Sequence, residues 1–263
     1  ETCEQCHWPT KFVGDKLKVI THFGDDEAST ELKTVLLMRV GGISGREAKG
    51  IHWHVDPKNQ IRCRADKKRE VITEVELSEE GSATPARYVT LAGQGSGEWR
   101  TMDCIDCHNR PTHIYLTPAR VIDDAMAAGK LPRELPYLRR EAVKALAPTY
   151  ASYAEARVAI TRAITKYYAE SDAELSTREA TKIAEVARVL GDLYEVNVFP
   201  AMKVTWDTYP NHLGHHDSPG CFRCHDDGHD TADGKTISQD CDTCHSVLAE
   251  EEVNPEILEK LNP

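Results

Sequence analysis

The chain has 263 residues, enough for one large domain or two modest ones, and 40% of them are hydrophobic but only 6% aromatic. Few large side chains can fill a core, so either much of the chain is surface or something other than amino acids fills the interior. A net charge of -11 argues against nucleic acid or an anionic membrane as the partner. The sequence has no apolar run long enough to span a bilayer.

The first segment, residues 1–31, opens with the motif CEQCH at residues 3–7. Because this Cys-x-x-Cys-His motif begins at Cys3, we expect further protein to precede it. His22 lies at the end of a short apolar stretch in the same segment. It suits two roles equally, a metal ligand or a packed polar residue.

Residues 32–100 show strand-like alternation, and we predict an antiparallel meander of about five strands. In GIHWHVD, a strand would place His52 and His54 on one face and Trp53 on the other. In VITEVEL, the alternation of residue types predicts a strand in which every second residue from Val71 to Leu77 lies on the same face. The isolated Cys63 is expected to point inward as a small hydrophobic residue, with a reactive thiol as the alternative. The predicted strands lie in ELKTVLLMRV, KGIHWHVD, NQIRCRAD, EVITEVEL and ARYVTLAG.

Residues 101–117 contain the second motif, CIDCH at 104–108, and the spacing changes to a helical one over residues 118–200. We predict three or four helices there, the first opening at Thr117-Pro118. A later helix should begin with a capping box formed by Ser176 and Glu179. The stretch from 152 to 170 carries one apolar stripe at helical spacing. Its members are Tyr153, Ala156, Ile160, Ile164 and Tyr167.

The last segment, residues 201–263, is predicted to be rich in loops. It contains the third and fourth motifs, CFRCH at 221–225 and CDTCH at 241–245. The acidic tail LAEEEVNPEILEKL is predicted to form a surface helix.

A Cys-x-x-Cys pair is found in zinc sites, in redox-active dithiols and in c-type haem sites, and the His that follows each pair distinguishes them. A zinc site needs a second ligand pair at a distance and does not require His at the fifth position every time. A redox-active dithiol needs a low thiolate pKa and usually occurs once. In a c-type haem site the two cysteines form thioethers with the porphyrin and the next His binds the iron. Four copies therefore predict four covalently attached c-type haems.

The haem prediction assigns twelve residues and accounts for the shortage of aromatic side chains, because four large apolar macrocycles would supply the missing core. We predict an α+β, haem-packed multihaem fold with a small antiparallel β-meander, a three- to four-helix unit and loop-rich haem segments. The attachment cysteines are Cys3, Cys6, Cys104, Cys107, Cys221, Cys224, Cys241 and Cys244, and the proximal iron ligands are His7, His108, His225 and His245.

Eight further histidines are available as sixth ligands for four irons, against four methionines. We therefore predict bis-His ligation, which gives low reduction potentials and closed, six-coordinate irons. Of the pair His52 and His54, one is expected to be a ligand and the other a propionate or hydrogen-bond partner. In NHLGHHDSPGC, His212 or His215 is favoured over His216. The distal candidates are His22, His54, His113, His212, His215 and His229.

His229 and His113 have specific reasons to be candidates. His229 lies four residues after a proximal ligand, too close to reach its own haem, and is expected to bind a neighbouring one. His113 follows a proximal ligand after a turn at Pro111. The surplus of histidines also suggests haems on another chain or on a missing segment.

With ETCEQCHWP, GIHWHVDP, EWRTMDCIDCHNRPTH and the paired motifs at 221–245 in view, the chain resembles a multihaem c-type cytochrome, closest to the periplasmic part of NapC/NirT-like cytochromes. The resemblance implies transfer of electrons to periplasmic acceptors, and members carry an anchor and further haems upstream. Quinol oxidation is not carried over to this chain. In haem number alone, the chain also resembles extracellular cytochromes that polymerise into filaments.

These features predict an electron relay between redox partner proteins, located in the periplasm, at the cell surface or outside the cell, since c-type haem is attached outside the cytoplasm. Two alternatives remain: a protomer of a conducting filament and a multihaem reductase with one open iron. An electron carrier is favoured over an enzyme because histidines are in excess and no Cys-x-x-Cys-Lys variant occurs.

Overall fold

The computed structural model describes residues 14–41, 50–91, 95, 97–110 and 114–261. The chain divides into two compact units. We call the first the motif unit, comprising Glu1–Lys18, Leu36–Ile114 and Asn211–Leu248, because it contains all four Cys-x-x-Cys-His motifs. We call the second the helix-rich unit, comprising Val19–Val35, Tyr115–Pro210 and Ala249–Pro263.

A five-stranded antiparallel sheet forms the frame of the motif unit. Its strand order is β6-β3-β4-β5-β7. In the central pair β3 and β4, Cys63 lies opposite Val75. Cys63 is buried together with Ile61 and Ile72, which confirms the inward orientation predicted for this cysteine. The strands are β3 (Asn59–Ala65), β4 (Ile72–Glu79), β5 (Ala86–Thr90), β6 (Glu98–Thr101) and β7 (His229–Asp230).

The predicted meander is only partly correct. The run ELKTVLLM forms β2 (Glu31–Met38), which belongs to a separate three-stranded sheet in the order β1-β2-β8. Its neighbours are β1 (Lys16–Phe23) and β8 (His245–Glu252), which come from opposite ends of the described chain. Alternation predicts a strand but not its partner, because pairing is decided by the fold.

The alternating face predicted from Val71 to Leu77 does not extend to Val71. Val71 is 57% exposed because β4 begins only at Ile72, and a register irregularity between Arg64 and Ala65 shifts the pairing there. Glu74 is fully buried in the strand, and its carboxylate forms ion pairs with Arg64 and Arg87. Paired in this way, a charged residue can occupy an inward position.

The GIHWHV stretch is not a strand, as predicted, but a 3-10 turn at Gly50–Val55. Gly50 starts the turn with φ +67°, and a Cβ at this position would lie 2.0 Å from the Arg39 carbonyl oxygen. In a 3-10 turn, successive residues are about 120° apart, so His52 and His54 point in different directions rather than to one face.

The helix-rich unit contains five helices in the region where three or four were predicted. The first is capped by Thr117, as predicted, since its side chain accepts a hydrogen bond from the Arg120 N–H. The predicted capping box is wrong: Ser176 lies inside a short helix whose N-cap is Asp172. The helices are α2 (Pro118–Ala127), α3 (Leu138–Leu146), α4 (Tyr153–Ser171), α5 (Ala173–Arg178) and α6 (Ala180–Asn197).

The apolar stripe of α4 lies almost where the spacing places it. Ala156, Ile160 and Ile164 are buried, but the stripe ends at Tyr168 rather than at Tyr167. α4 packs against α6, which buries Val186, Leu190 and Tyr194. The result is a continuous core of aliphatic and tyrosine side chains.

The acidic tail is a strand followed by a helix, not one surface helix. The strand β8 runs through the glutamates to Glu252, and α7 (Glu256–Leu261) follows after Pro255. Within the described ranges no helix has the length and apolar character needed to cross a membrane. Antiparallel sheets together with helices confirm the predicted α+β class.

Candidate haem-binding sites

The second motif forms a single capped helical turn, α1 (Cys104–Cys107). The Asp103 side chain accepts a hydrogen bond from the Ile105 N–H at 3.0 Å, and the Asp106 carboxylate accepts one from the Asp103 N–H at 2.8 Å. This capping box fixes the turn, and residues three apart on a helical turn lie on the same side. Both cysteines therefore face one side, with His108 directly after them.

The third and fourth motifs also form single turns, of the 3-10 type. The third occupies Gly220–Arg223 and the fourth Cys241–Thr243. In both, the N–H of the second cysteine donates to the carbonyl oxygen of the first at 3.3 Å. The three described motifs thus share a geometry that presents two sulfurs together, as attachment to one porphyrin requires.

His225 of the third motif lies against His54 of the 3-10 turn. Their Nε2 atoms are 3.5 Å apart, although 171 residues separate them in the sequence. The Nδ1 of His225 lies 2.8 Å from the Ser238 carbonyl oxygen, and the Nδ1 of His54 lies 2.7 Å from that of Ile51. A carbonyl oxygen only accepts hydrogen bonds, so each Nδ1 must carry the proton.

This tautomer leaves a lone pair on each Nε2, and the two lone pairs face each other. Burial lowers the pKa of His54, which keeps this ring neutral. Two facing lone pairs repel unless a cation lies between them. If a haem iron were bound here, His54 and His225 are the two residues that would hold it through their Nε2 atoms. The backbone hydrogen bonds at Nδ1 are the usual support of a metal-binding histidine.

His108 of the second motif is paired with His52. The two rings are nearly parallel, at 8°, with centroids 6.5 Å apart. The Nδ1 of His52 donates to the Val40 carbonyl oxygen at 2.6 Å, which again directs the lone pair to Nε2. The sequence predicted a ligand role for only one of His52 and His54. The 3-10 turn directs the two side chains to different motif histidines, which a strand would not do.

His245 of the fourth motif is paired with His215. Their ring centroids are 6.1 Å apart at an interplanar angle of 23°, and His215 also stacks on Phe222 with centroids 4.1 Å apart. Gly220 makes this arrangement possible: a Cβ there would lie 1.6 Å from the Gly214 carbonyl oxygen. The absence of a side chain lets the His215 loop approach the third motif.

His229, which is predicted to bind a neighbouring haem, has polar neighbours at both ring nitrogens. It is fully buried, its Nδ1 lies 2.8 Å from an Asp226 carboxylate oxygen and its Nε2 lies 3.2 Å from the Ile72 carbonyl oxygen. Both nitrogens therefore face acceptors within the protein. The described contacts give no support to the prediction that His229 binds a neighbouring haem, and they resemble those of a structural histidine.

The other candidates are not paired with a motif histidine by any described contact. His212 is buried, and its Nδ1 lies 3.2 Å from the Asp106 carbonyl oxygen. His22 lies in the helix-rich unit, with Nε2 3.5 Å from a Glu251 carboxylate oxygen. His216 is 82% exposed beside Asp217, in agreement with its lower rank. Cys3, Cys6, His7 and His113 lie outside the described residues.

The second cysteine of each described motif, Cys107, Cys224 or Cys244, does not have the low thiol pKa of a redox-active dithiol. Burial raises the pKa of Cys107 to about 11 and that of Cys224 to about 12. Burial also raises the pKa of Cys244. Catalytic dithiols need the opposite shift, towards a stable thiolate. Thioether attachment to a macrocycle needs no stable thiolate, so it is compatible with these raised pKa values.

Comparison with known proteins supports this chemistry. The chain is 39% identical over 259 residues to Cytochrome c-type protein ImcH of Geobacter sulfurreducens, a match that covers 97% of this chain and 51% of that protein. The chain thus spans about half the length of this curated relative. No family model matches the chain, and no solved structure matches it.

The predicted resemblance to NapC/NirT-like cytochromes stays a prediction, whereas the broader predicted resemblance to c-type cytochromes is confirmed. Over nearly its whole length the chain is similar to a c-type cytochrome, and it carries the repeated Cys-x-x-Cys-His motif of covalent haem attachment.

Proposed function

We propose that this chain relays electrons between redox partner proteins through four covalently attached haems with bis-His ligation. Cys3, Cys6, Cys104, Cys107, Cys221, Cys224, Cys241 and Cys244 would attach them. When bound, each haem supplies an iron that alternates between the ferric and ferrous states.

One observation carries the proposal: all three described motif histidines face a second histidine from a distant part of the chain. The pairs are His108 with His52, His225 with His54 and His245 with His215. If both histidines of a pair held the same iron, no position would be left open for a substrate, and such a site would exchange electrons rather than bind one. This favours a relay over the reductase alternative.

The arrangement of the sites favours transfer from one to the next. A single 3-10 turn would supply ligands to two haems, with His52 serving the second motif and His54 the third. The thiol of Cys221 in the third motif is close enough to raise the pKa of Cys107 in the second and of Cys244 in the fourth, in each case after burial as the main cause. Three attachment sites therefore lie close together in the motif unit.

The compartment and partners follow from the chemistry of attachment. Since c-type haem is joined to protein outside the cytoplasm, we infer a periplasmic, cell-surface or extracellular location. The fourth site, formed by CEQCH with His7, needs a distal ligand that is among His22, His113, His212 and His229 or belongs to a further haem-bearing segment or an identical subunit.

The first test is the mass of the intact purified chain, which should exceed the polypeptide mass by four haems. No added mass would end the proposal. Next, His52→Ala, His54→Ala and His215→Ala should each convert one low-spin centre to high-spin, seen by absorption and EPR.

His216→Ala is the matched control, because this exposed histidine lies beside His215 in the same loop. It should leave every centre low-spin. Three unchanged spectra for the ligand variants would reject the bis-His pairs while leaving covalent haem attachment intact.

A further inference from the structure

Arg223, in the third motif, has an unusual set of partners. Its guanidinium donates to three backbone carbonyl oxygens: Nε to Gly220 at 2.8 Å, Nη1 to Arg69 at 2.6 Å and Nη2 to Asp106 at 2.7 Å. These acceptors belong to the third motif, to the turn between β3 and β4, and to the second motif. The side chain thus holds a positive charge at the junction of the second and third attachment sites.

The charge at this junction is not balanced. Within the described ranges, no carboxylate lies within ion-pair distance of Arg223. The nearby Asp106 carboxylate is already 2.5 Å from Arg100 and 3.9 Å from Arg69. Arg100 also lies 3.5 Å from the more exposed Asp103 carboxylate, so three arginines share two carboxylates, of which only Asp106 is buried. Hydrogen bonds to neutral carbonyls fix the position of the Arg223 charge but do not neutralise it.

A fixed cation has a definite effect on a neighbouring iron. Reduction of ferric to ferrous haem removes one positive charge from the centre, so a nearby cation favours the reduced form. In a half-buried site this interaction is screened less than at an open surface. Net charge is among the factors that set the potential of haem iron. Arg223 is within reach of both sites, since its charge acts on Cys107 and on Cys224.

We propose that Arg223 is a tuning residue, an unpaired cation fixed between the second and third haem sites that raises the reduction potentials of both. The proposal rests on the haem sites proposed above. It also implies that Asp106 acts in the opposite direction, because its carboxylate is the negative group at the same junction.

The test is a redox titration of the purified haem-loaded protein, followed by absorption and EPR. Arg223→Gln should lower the midpoint potentials of two low-spin centres, and Arg223→Lys, which keeps the charge, should leave them near the wild-type values. Asp106→Asn should raise the same two potentials. Arg188→Gln is the control: it makes the same change in net charge on α6, where Arg188 is paired with Glu185 and Asp192. It should shift neither centre.

Different failures have different meanings. Equal shifts for the Gln and Lys variants would mean that Arg223 only positions the backbone, and unchanged potentials in Arg223→Gln would overturn the tuning role. If Arg223→Gln does not fold, the sign of the shift in Asp106→Asn decides, and a fall or no change rejects the proposal. Absence of haem bands in the wild-type protein would instead reject the proposed function itself.

Discussion

The two units of this protein build their interiors in different ways. The helix-rich unit has a continuous core of leucine, isoleucine, valine and tyrosine side chains from α2, α3, α4 and α6. Among its described residues, the motif unit has one small buried group on its sheet, formed by Ile61, Cys63, Ala65, Ile72 and Val75. Around this group lie single-turn motifs and loops.

The difference indicates where each unit obtains its stability. Burial of aliphatic side chains stabilises a protein by roughly 25 cal/mol for each Å² removed from water, and the helix-rich unit has such side chains on every long helix. The described part of the motif unit has fewer such side chains, and we expect the haems to supply the apolar volume there. The comparison predicts that loss of haem affects the two units unequally.

The largest effect should follow from loss of haem attachment. With all six cysteines of the described motifs changed to Ser, the motif unit should lose amide-exchange protection, while the long helices α4 and α6 keep theirs. Hydrogen exchange and circular dichroism measure both. Cys63→Ala is the control, since this buried cysteine lies outside every motif and its change should retain all haems. Full protection of the motif unit in the variant that lacks these three attachment sites would refute the comparison.

A smaller effect is expected from a cavity in the helix-rich core. Leu190 is fully buried on α6, so Leu190→Ala should lower the free energy of unfolding of this unit by about 2–5 kcal/mol. Denaturant unfolding followed by circular dichroism measures this loss, and the haem absorption bands should not change. Val158→Ala on α4, where the side chain is 70% exposed, should cost about 0.5 kcal/mol or less.

The smallest effect is a pH dependence confined to the motif unit. Burial lowers the pKa of His212 to about 4, below its ordinary value near 6.5. The folded state then binds fewer protons than the unfolded state between these values. The contribution of His212 to stability is therefore constant above about pH 6.5 and falls as the pH drops towards 4, by at most about 1.4 kcal/mol per pH unit.

Acid unfolding followed at the haem bands tests this dependence. His212→Gln should flatten the stability curve over this window, and His216→Gln, an exposed neighbour, should leave it as in the wild-type protein. A curve unchanged by His212→Gln would assign the acid sensitivity of the motif unit to other groups.

Local patterns in the sequence predicted local structure well. The helices were found from spacing and from caps such as Thr117, and the inward Cys63 from its place in an alternating run. The errors arose where the outcome depends on distant partners. β2 joined another sheet, Ser176 lost its capping role to Asp172, and GIHWHV became a 3-10 turn.

By itself, the sequence determined the attachment chemistry, because Cys-x-x-Cys-His is a contiguous pattern and one helical turn is enough to bring its two sulfurs together. Only the tertiary structure decided which histidines face the motif histidines. His54 meets His225 across 171 residues, and His215 reaches His245 because Gly220 leaves room for the loop. Such pairs depend on the path of the whole chain, which no local spacing records.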